Sequence, residues 1–205
     1  MKLERIGLIG YGEVGKIFCA GLLKQPGVTG VGAWDLKFAQ AATQATERAH
    51  AAQAGIDAHS CMQALCEDSE LILSAVTASA TLAVAQEAAA FIRPGTIFLD
   101  LNSASPGTKQ QAATLIEAAG GHYVEAGVMT SVPPYGIKVP MLLGGVRANA
   151  LARALTDWGM DAKVVSDRIG VASAIKMCRS VMIKGLEALV IESYSTARAY
   201  GVEDH

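Results

Sequence analysis

Apolar residues along the chain fall into two alternating patterns. Short, nearly continuous apolar runs bounded by glycine and polar residues occupy 5–10, 30–35, 70–76, 96–101, 122–126, 139–144 and 162–166. Runs of this length without polar alternation are expected of strands covered on both faces, as in parallel sheet. Between them lie longer segments with apolar positions at helical spacing, at 12–25, 37–53, 60–67, 78–92, 106–119 and 147–158. Strand–helix alternation predicts an α/β fold with a doubly wound, mostly parallel sheet. Local chemistry supports one of these helices at both ends. Ser105 before Pro106 reads as an N-cap with proline at the first helical position, and Gly120-Gly121 as its terminator.

The pattern changes after Asp167. From Gly170 to Tyr200 there is no proline and no turn cluster, and Ile175, Cys178, Met182, Leu186, Leu189 and Ile191 recur at helical spacing. The spacing predicts one helix of about thirty residues, long for a globular core. A helix of this kind bridges two domains or forms a dimer interface. Nothing between it and His205 could cover its second half, so the chain reads as interrupted there.

The first turn carries the most specific signal. The run Ile6-Gly7-Leu8-Ile9 enters Gly10-Tyr11-Gly12-Glu13-Val14-Gly15, a helical pattern follows, and a second apolar run ends at Asp35. This is a G-x-G-x-x-G turn between a strand and a helix, with an acid twenty residues beyond its last glycine. It predicts a Rossmann-type dinucleotide site. Gly10 permits the turn, Gly12 the approach of a pyrophosphate, and Gly15 close packing of helix on strand. The pyrophosphate belongs at the helix N-terminus, beside Tyr11, Glu13 and Val14. Asp35 favours NAD, because a carboxylate accepts ribose hydroxyls and repels a 2′-phosphate. Lys37 leaves NADP possible.

Composition narrows the classes. The chain has 205 residues, 51% hydrophobic and 18% charged, with a net charge of −2, and no basic stripe suggests nucleic acid. No apolar run reaches the length of a membrane span. The start, Met1-Lys2-Leu3-Glu4-Arg5, leaves no room for a signal peptide before the first strand, so a cytoplasmic protein is expected. Cys19, Cys61, Cys66 and Cys178 show neither zinc spacing nor CxxC, and read as buried small residues or free thiols. The scattered His50, His59, His122 and His205 suggest no metal site.

Ligands of open parallel sheets bind beyond the carboxyl ends of the strands. Four candidates fall there. Val76 and Thr77 would pass near the nicotinamide, although Thr77 and Ser79 could equally be helix caps. Asp100 to Pro106 brings Asn102 and Ser103 to a strand end, as a substrate site or as an ordinary capped loop. Glu125 to Gly136 is rich in turn formers and long enough to fold over a ligand. Lys176, early in the long helix and one turn before Ser180, is either desolvated and suited to proton transfer or snorkels to solvent.

These motifs, in order and spacing, resemble the β-hydroxyacid dehydrogenases, the family of 3-hydroxyisobutyrate and 6-phosphogluconate dehydrogenases. Gly10 to Gly15 resembles the family fingerprint, and Asp100 to Pro106 its D-x-S-T-x-x-P substrate motif. Glu125 to Ser131 resembles D-A-P-V-S-G-G, Met141 to Gly145 the later M-x-G-G element, and Gly170 to Lys176 the catalytic G-x-G-x-x-x-K. The resemblance implies an NAD-dependent oxidoreductase moving a hydride between nicotinamide and a β-hydroxy acid, with Lys176 as general acid/base. It implies a dinucleotide-binding domain over 1–167. A long interdomain helix then begins an all-α C-terminal domain over 168–205, incomplete here, through which the protein forms a homodimer. Substrate contacts are expected from Asn102, Ser103, Met129, Thr130 and Ser180.

The chain departs from the family pattern near the substrate. Asn102 replaces a serine, Met129-Thr130-Ser131 replaces Ser-Gly-Gly, and Arg179-Ser180 replaces an asparagine pair. These changes, with Lys176-Met177-Cys178-Arg179-Ser180 and Lys184-Gly185-Leu186-Glu187, look like a divergent phosphogluconate-dehydrogenase-like branch. Met129, Val132 and Tyr135 point to a bulkier or more apolar substrate. Two other readings remain at this point: a non-catalytic NAD-binding sensor or scaffold, and an imine reductase, against which Lys176 argues.

Overall fold

The computed structural model describes residues 3–202. The expectations placed on Met1-Lys2 and on Glu203 to His205 lie outside the described residues.

Eight strands form one sheet. They are β1 (Arg5–Ile9), β2 (Gly30–Trp34), β3 (Asp57–Ala58), β4 (Leu71–Ser74), β5 (Ile97–Asp100), β6 (His122–Val128), β7 (Met141–Gly144) and β8 (Ala162–Ser166). Their order is β3-β2-β1-β4-β5-β6-β7-β8. Every neighbouring pair is parallel except β6 with β7, where Val128 faces Met141. The seven apolar runs thus became strands, and β2, β4 and β5 are buried along their whole length, as strands covered on both faces must be. The two-residue β3 went unpredicted, since it is too short to carry a period. β8 alternates between half-buried and exposed positions, as an edge strand does.

The helices are α1 (Glu13–Leu22), α2 (Gln44–Gln53), α3 (Met62–Asp68), α4 (Thr81–Ala89), α5 (Pro106–Ala118), α6 (Ala148–Asp157) and α7 (Val171–Ala199). α5 starts where its cap predicts, with Ser105 Oγ accepting the Thr108 N–H at 3.2 Å. It ends before Gly120, whose φ of 87° suits glycine.

One predicted helix is corrected. The segment 37–53 is not continuous: a single 3₁₀ turn, Leu36–Phe38, is separated from α2 by five residues of turn. Asp35 Oδ1 accepts the Lys37 N–H at 2.9 Å and starts the turn, and Thr43 Oγ1 donates to Lys37 O at 2.9 Å. The break lets Phe38 turn inward, where its ring lies 5.3 Å from that of Tyr11. Local side-chain bonds of Asp and Thr thus outcompeted helix continuation.

The winding direction reverses between β1 and β4. The loops leaving β1, β4, β5 and β6 all open on the same end of the sheet, where such folds bind ligands. The antiparallel β7 returns the long loop 129–140 to that end. α7 lies close to β6: a Cβ on Gly127 would sit 3.0 Å from Ala172 O and 3.6 Å from Lys176 Cβ. Past its first turns α7 leaves the domain, and Met182, Leu186, Leu189 and Ile191 are all exposed. Among the described residues no helix is long and apolar enough to cross a membrane.

Candidate functional site

The glycine turn is built as its sequence predicts. Gly10 has φ of 99°, and a Cβ there would lie 2.3 Å from Ala75 O. A Cβ on Gly15 would lie 1.9 Å from Gly10 O, so only glycine lets α1 pack against the turn. Gly12 differs: its Cβ position is open, with no atom within 4 Å. Gly12 is the N-cap of α1, and no side chain caps that end. The first N–H groups of a helix lack intrahelical partners and favour an anion. Open space over Gly12 and an uncapped helix end therefore fit a pyrophosphate.

Asp35 ties this turn to the end of β2. Its Oδ2 accepts the Tyr11 N–H at 2.7 Å, while Oδ1 accepts from Lys37 N. A carboxylate offers further lone pairs, so these bonds fix its position and leave room for ribose hydroxyls. Tyr11 contributes only its backbone to the loop. Its side chain is buried beside Phe38, with the hydroxyl 3.1 Å from His50 Nδ1, and burial pushes its phenol pKa up to about 12.

Beyond the turn, two clefts meet at Lys176. The first, about 330 Å³, is walled by Glu13, Val14, Val76, Thr130 and Ser131. The second, about 390 Å³, is walled by Ser105, Gly127, Met177, Ser180 and Lys184. Asn102, Ser103 and Lys176 border both. Lys176 is half-buried, and its Nζ donates to Ser103 Oγ at 2.6 Å. Burial, and then the nearby Lys109 cation, hold its pKa below the usual lysine value.

Several expected residues play different parts. Asn102 is buried and spent on its neighbours: Oδ1 accepts the Val76 N–H at 2.7 Å, and Nδ2 donates to Ser74 Oγ at 2.9 Å. It locks the loop after β4 to the loop after β5. Thr130 stands on the cleft shared with α1, whereas Ser180 stands on the other. Met129 walls neither; its N–H closes the β6–β7 hairpin on Pro140 O at 2.9 Å, and its carbonyl accepts from Arg179. The Thr77 hydroxyl lies 3.2 Å from that of Ser79, off the cleft walls.

A buried polar layer supports the site, and sequence reasoning passed over most of it. Glu125 is fully buried and grips the first turn of α7. Its Oε1 accepts from Gly170 N at 2.7 Å and Ala172 N at 3.0 Å, and its Oε2 accepts from Ser173 Oγ at 2.7 Å. A carboxylate at a helix N-terminus also complements the helix dipole. Beside it, Lys109 Nζ donates to Asp100 O and Ala126 O, both at 2.9 Å, with Asp100 Oδ1 at 3.5 Å. Tyr123 donates its hydroxyl to the other Asp100 oxygen. Burial lowers the Lys109 pKa and raises that of Tyr123. The signal for Lys109 was present: it shares a helical stripe with the buried Ala112, Ala113 and Ile116.

Among the described residues, no group of three or more His, Cys, Asp or Glu is placed to hold a metal ion. All four cysteines are free; Cys19 and Cys66 are buried, and Cys61 and Cys178 exposed.

Comparisons with known proteins bear on the family and the fold. The family model described as the NAD binding domain of 6-phosphogluconate dehydrogenase matches residues 5–136. A conserved hypothetical protein of Sinorhizobium meliloti 1021 is 40% identical with a TM-score of 0.86, over 98% of this chain and 67% of that one. The conserved protein MTH1747, whose structure is described as similar to 3-hydroxyacid dehydrogenases, is 32% identical with a TM-score of 0.78, over 97% and 72%. An uncharacterized 28.5 kDa protein from the 7S RNA 5′ region of Methanothermus fervidus is 28% identical over 204 residues, covering 98% of this chain and 73% of its own length. With its fingerprint turn, its strand order and a matched segment running from β1 into the loop after β6, the chain belongs to the NAD-binding family of 6-phosphogluconate dehydrogenase.

Proposed function

We propose that the protein is an NAD-dependent oxidoreductase of β-hydroxy acids, with Lys176 as its general acid/base. One observation carries the reading: Lys176 Nζ stands 2.6 Å from Ser103 Oγ where the two clefts meet. The cleft shared with the glycine turn suits the nicotinamide end of the cofactor, and the other suits the substrate. Bound NAD would supply the hydride acceptor in oxidation and, as NADH, the hydride donor in the reverse direction. The chain supplies the rest. As the hydroxyl carbon gives up a hydride, the neutral amine of Lys176 takes the hydroxyl proton, leaving a carbonyl; in reduction the protonated amine returns it. A lowered lysine pKa favours this, because general bases work best near the ambient pH. Ser103 orients the amine, Ser180 lines the path of the substrate, and Asn102 holds the two loops in register. Thr130 and Val76 border the nicotinamide side. Asp35 favours NAD over NADP, with Lys37 leaving NADP accessible.

The test is cofactor titration followed by a hydroxy-acid panel on the protein and on Lys176→Ala. The expected outcome is turnover with NAD that falls by about 10²–10⁴ in the variant, with NAD affinity retained. Turnover surviving in Lys176→Ala would overturn the reading. So would a protein that reduces imines and oxidises no hydroxy acid. NAD binding without turnover on any panel member would favour a sensor or scaffold.

A further inference from the structure

We infer that Arg179 is a positioning residue: it supplies the hydrogen-bond donor that Pro140 cannot, and so holds the loop 129–140 as a wall around the nicotinamide half of the cofactor. This rests on the reading that the nicotinamide occupies the first cleft. The register of β6 and β7 pairs Val128 with Met141, which sets Met129 opposite Pro140. The Met129 N–H bonds to Pro140 O at 2.9 Å. In an antiparallel pair of this kind each residue donates to the other. Proline has no N–H to return, so the Met129 carbonyl lacks its ladder donor. The Arg179 guanidinium donates to it instead, from α7. Among the described residues, no carboxylate pairs with Arg179. Met129 and Arg179 are also two of the positions where the chain departs from the family pattern, and the structure brings them together.

The bond sits where the loop leaves the sheet. The next residues, Thr130, Ser131, Val132 and Pro133, wall the first cleft, which Lys176 also borders. Arg179 walls neither cleft and acts through the loop. Lys176 and Arg179 are three residues apart and so are neighbours on the surface of α7. One turn of helix therefore carries both the amine and the fastening of the loop. The loop transmits that fastening because it is stiff. Pro133 and Pro134 have fixed φ, and Val132 O accepts from Tyr135 N at 3.0 Å and Gly136 N at 2.8 Å. Its far end is seated on α1, where Ile137 is buried and a Cβ on Gly21 would overlap its Cγ2. The loop thus spans from the helix of the glycine turn to the helix of Lys176, and is fixed at both ends.

Ligands with and without the nicotinamide separate this role from a general loss of structure. NADH, and ADP-ribose, which lacks the nicotinamide, are titrated calorimetrically into the protein, Arg179→Met, Arg179→Lys, and Arg179→Met combined with Pro140→Ala. Arg179→Met should weaken NADH about fivefold, as the loss of one hydrogen bond allows, and leave ADP-ribose unchanged. Arg179→Lys keeps a cationic donor and Pro140→Ala restores the backbone N–H, so either should recover NADH affinity. Unchanged NADH affinity in Arg179→Met, an equal loss for both ligands, or a loss that neither further variant recovers would overturn the inference. Hydroxy-acid turnover reports separately. A selective, recoverable loss of NADH affinity in a protein without turnover would leave the positioning role standing and remove the dehydrogenase reading. Turnover that depends on Lys176, with NADH affinity indifferent to Arg179, would do the reverse.

Discussion

Lys176 holds its proton less firmly than a lysine in water, for two reasons. It is half-buried, and Lys109 lies in the layer beneath it. Oxidation needs the neutral amine, so its rate should rise with pH through the lowered Lys176 pKa and level off above it. Reduction needs the ammonium and should fall over the same interval. The charged groups behind Lys176 are Lys109, Asp100 and Glu125. Lys109→Met removes the one cation and leaves both acids, and both changes strengthen the hold of Lys176 on its proton. The acid limb of kcat/KM for oxidation should therefore move up by about one pH unit. Breaking the buried pair with Asp100 also costs about 3–5 kcal/mol. The profile is best recorded at low temperature, with circular dichroism confirming a folded variant. An unmoved limb would show that burial alone sets the Lys176 pKa.

At the scale of elements, α7 aims Lys176, and Glu125 fixes α7. Glu125→Gln keeps the shape but turns one acceptor into a donor facing the Ser173 hydroxyl and N–H groups. About 2–3 kcal/mol of stability should be lost, as for charged hydrogen bonds left unmade in a buried site. Denaturant unfolding measures this; a loss under 0.5 kcal/mol would mean the helix start is held by packing on Gly127 instead. The elements themselves were legible where burial set the pattern. Seven apolar runs became strands, most clearly β2, β4 and β5, which are covered on both faces, and α5 announced its ends through Ser105, Pro106 and Gly120. Segment 37–53 was misread because Asp35 and Thr43 bond locally, which periodicity does not register. Within the site, the shape of the glycine turn was legible because Gly10 and Gly15 have steric reasons, and Lys176 stood out as a candidate because a cation on an apolar stripe needs a reason. For Asn102 and Met129, motif position says that a residue is near the site, not that its polar atoms are already hydrogen-bonded within the chain. Lys109 and Glu125 were overlooked as chemistry for the opposite reason: their partners are backbone atoms from distant strands, which no local spacing reveals.

For the whole molecule, the sheet forms one buried core, while α7 carries apolar residues out of it. Val181, Met182, Leu186, Leu189, Val190 and Ile191 are each more than half exposed over barely three turns. Continuous apolar surface on a helix marks an interface, since each such side chain gains about 1.5–3 kcal/mol when buried. The antiparallel approach of a second α7 would cover both copies at once, and a two-fold pair is the commonest closed assembly. We therefore propose a homodimer through α7. Sedimentation velocity at micromolar concentration should find a dimer, and Leu186→Lys combined with Leu189→Lys should return a folded monomer with NAD affinity unchanged, because neither leucine lines either cleft. Loss of turnover in that monomer would mean that pairing also holds α7, and with it Lys176, in its working position. A wild-type chain that stays monomeric across the concentration range would show that α7 is covered by something other than its own copy.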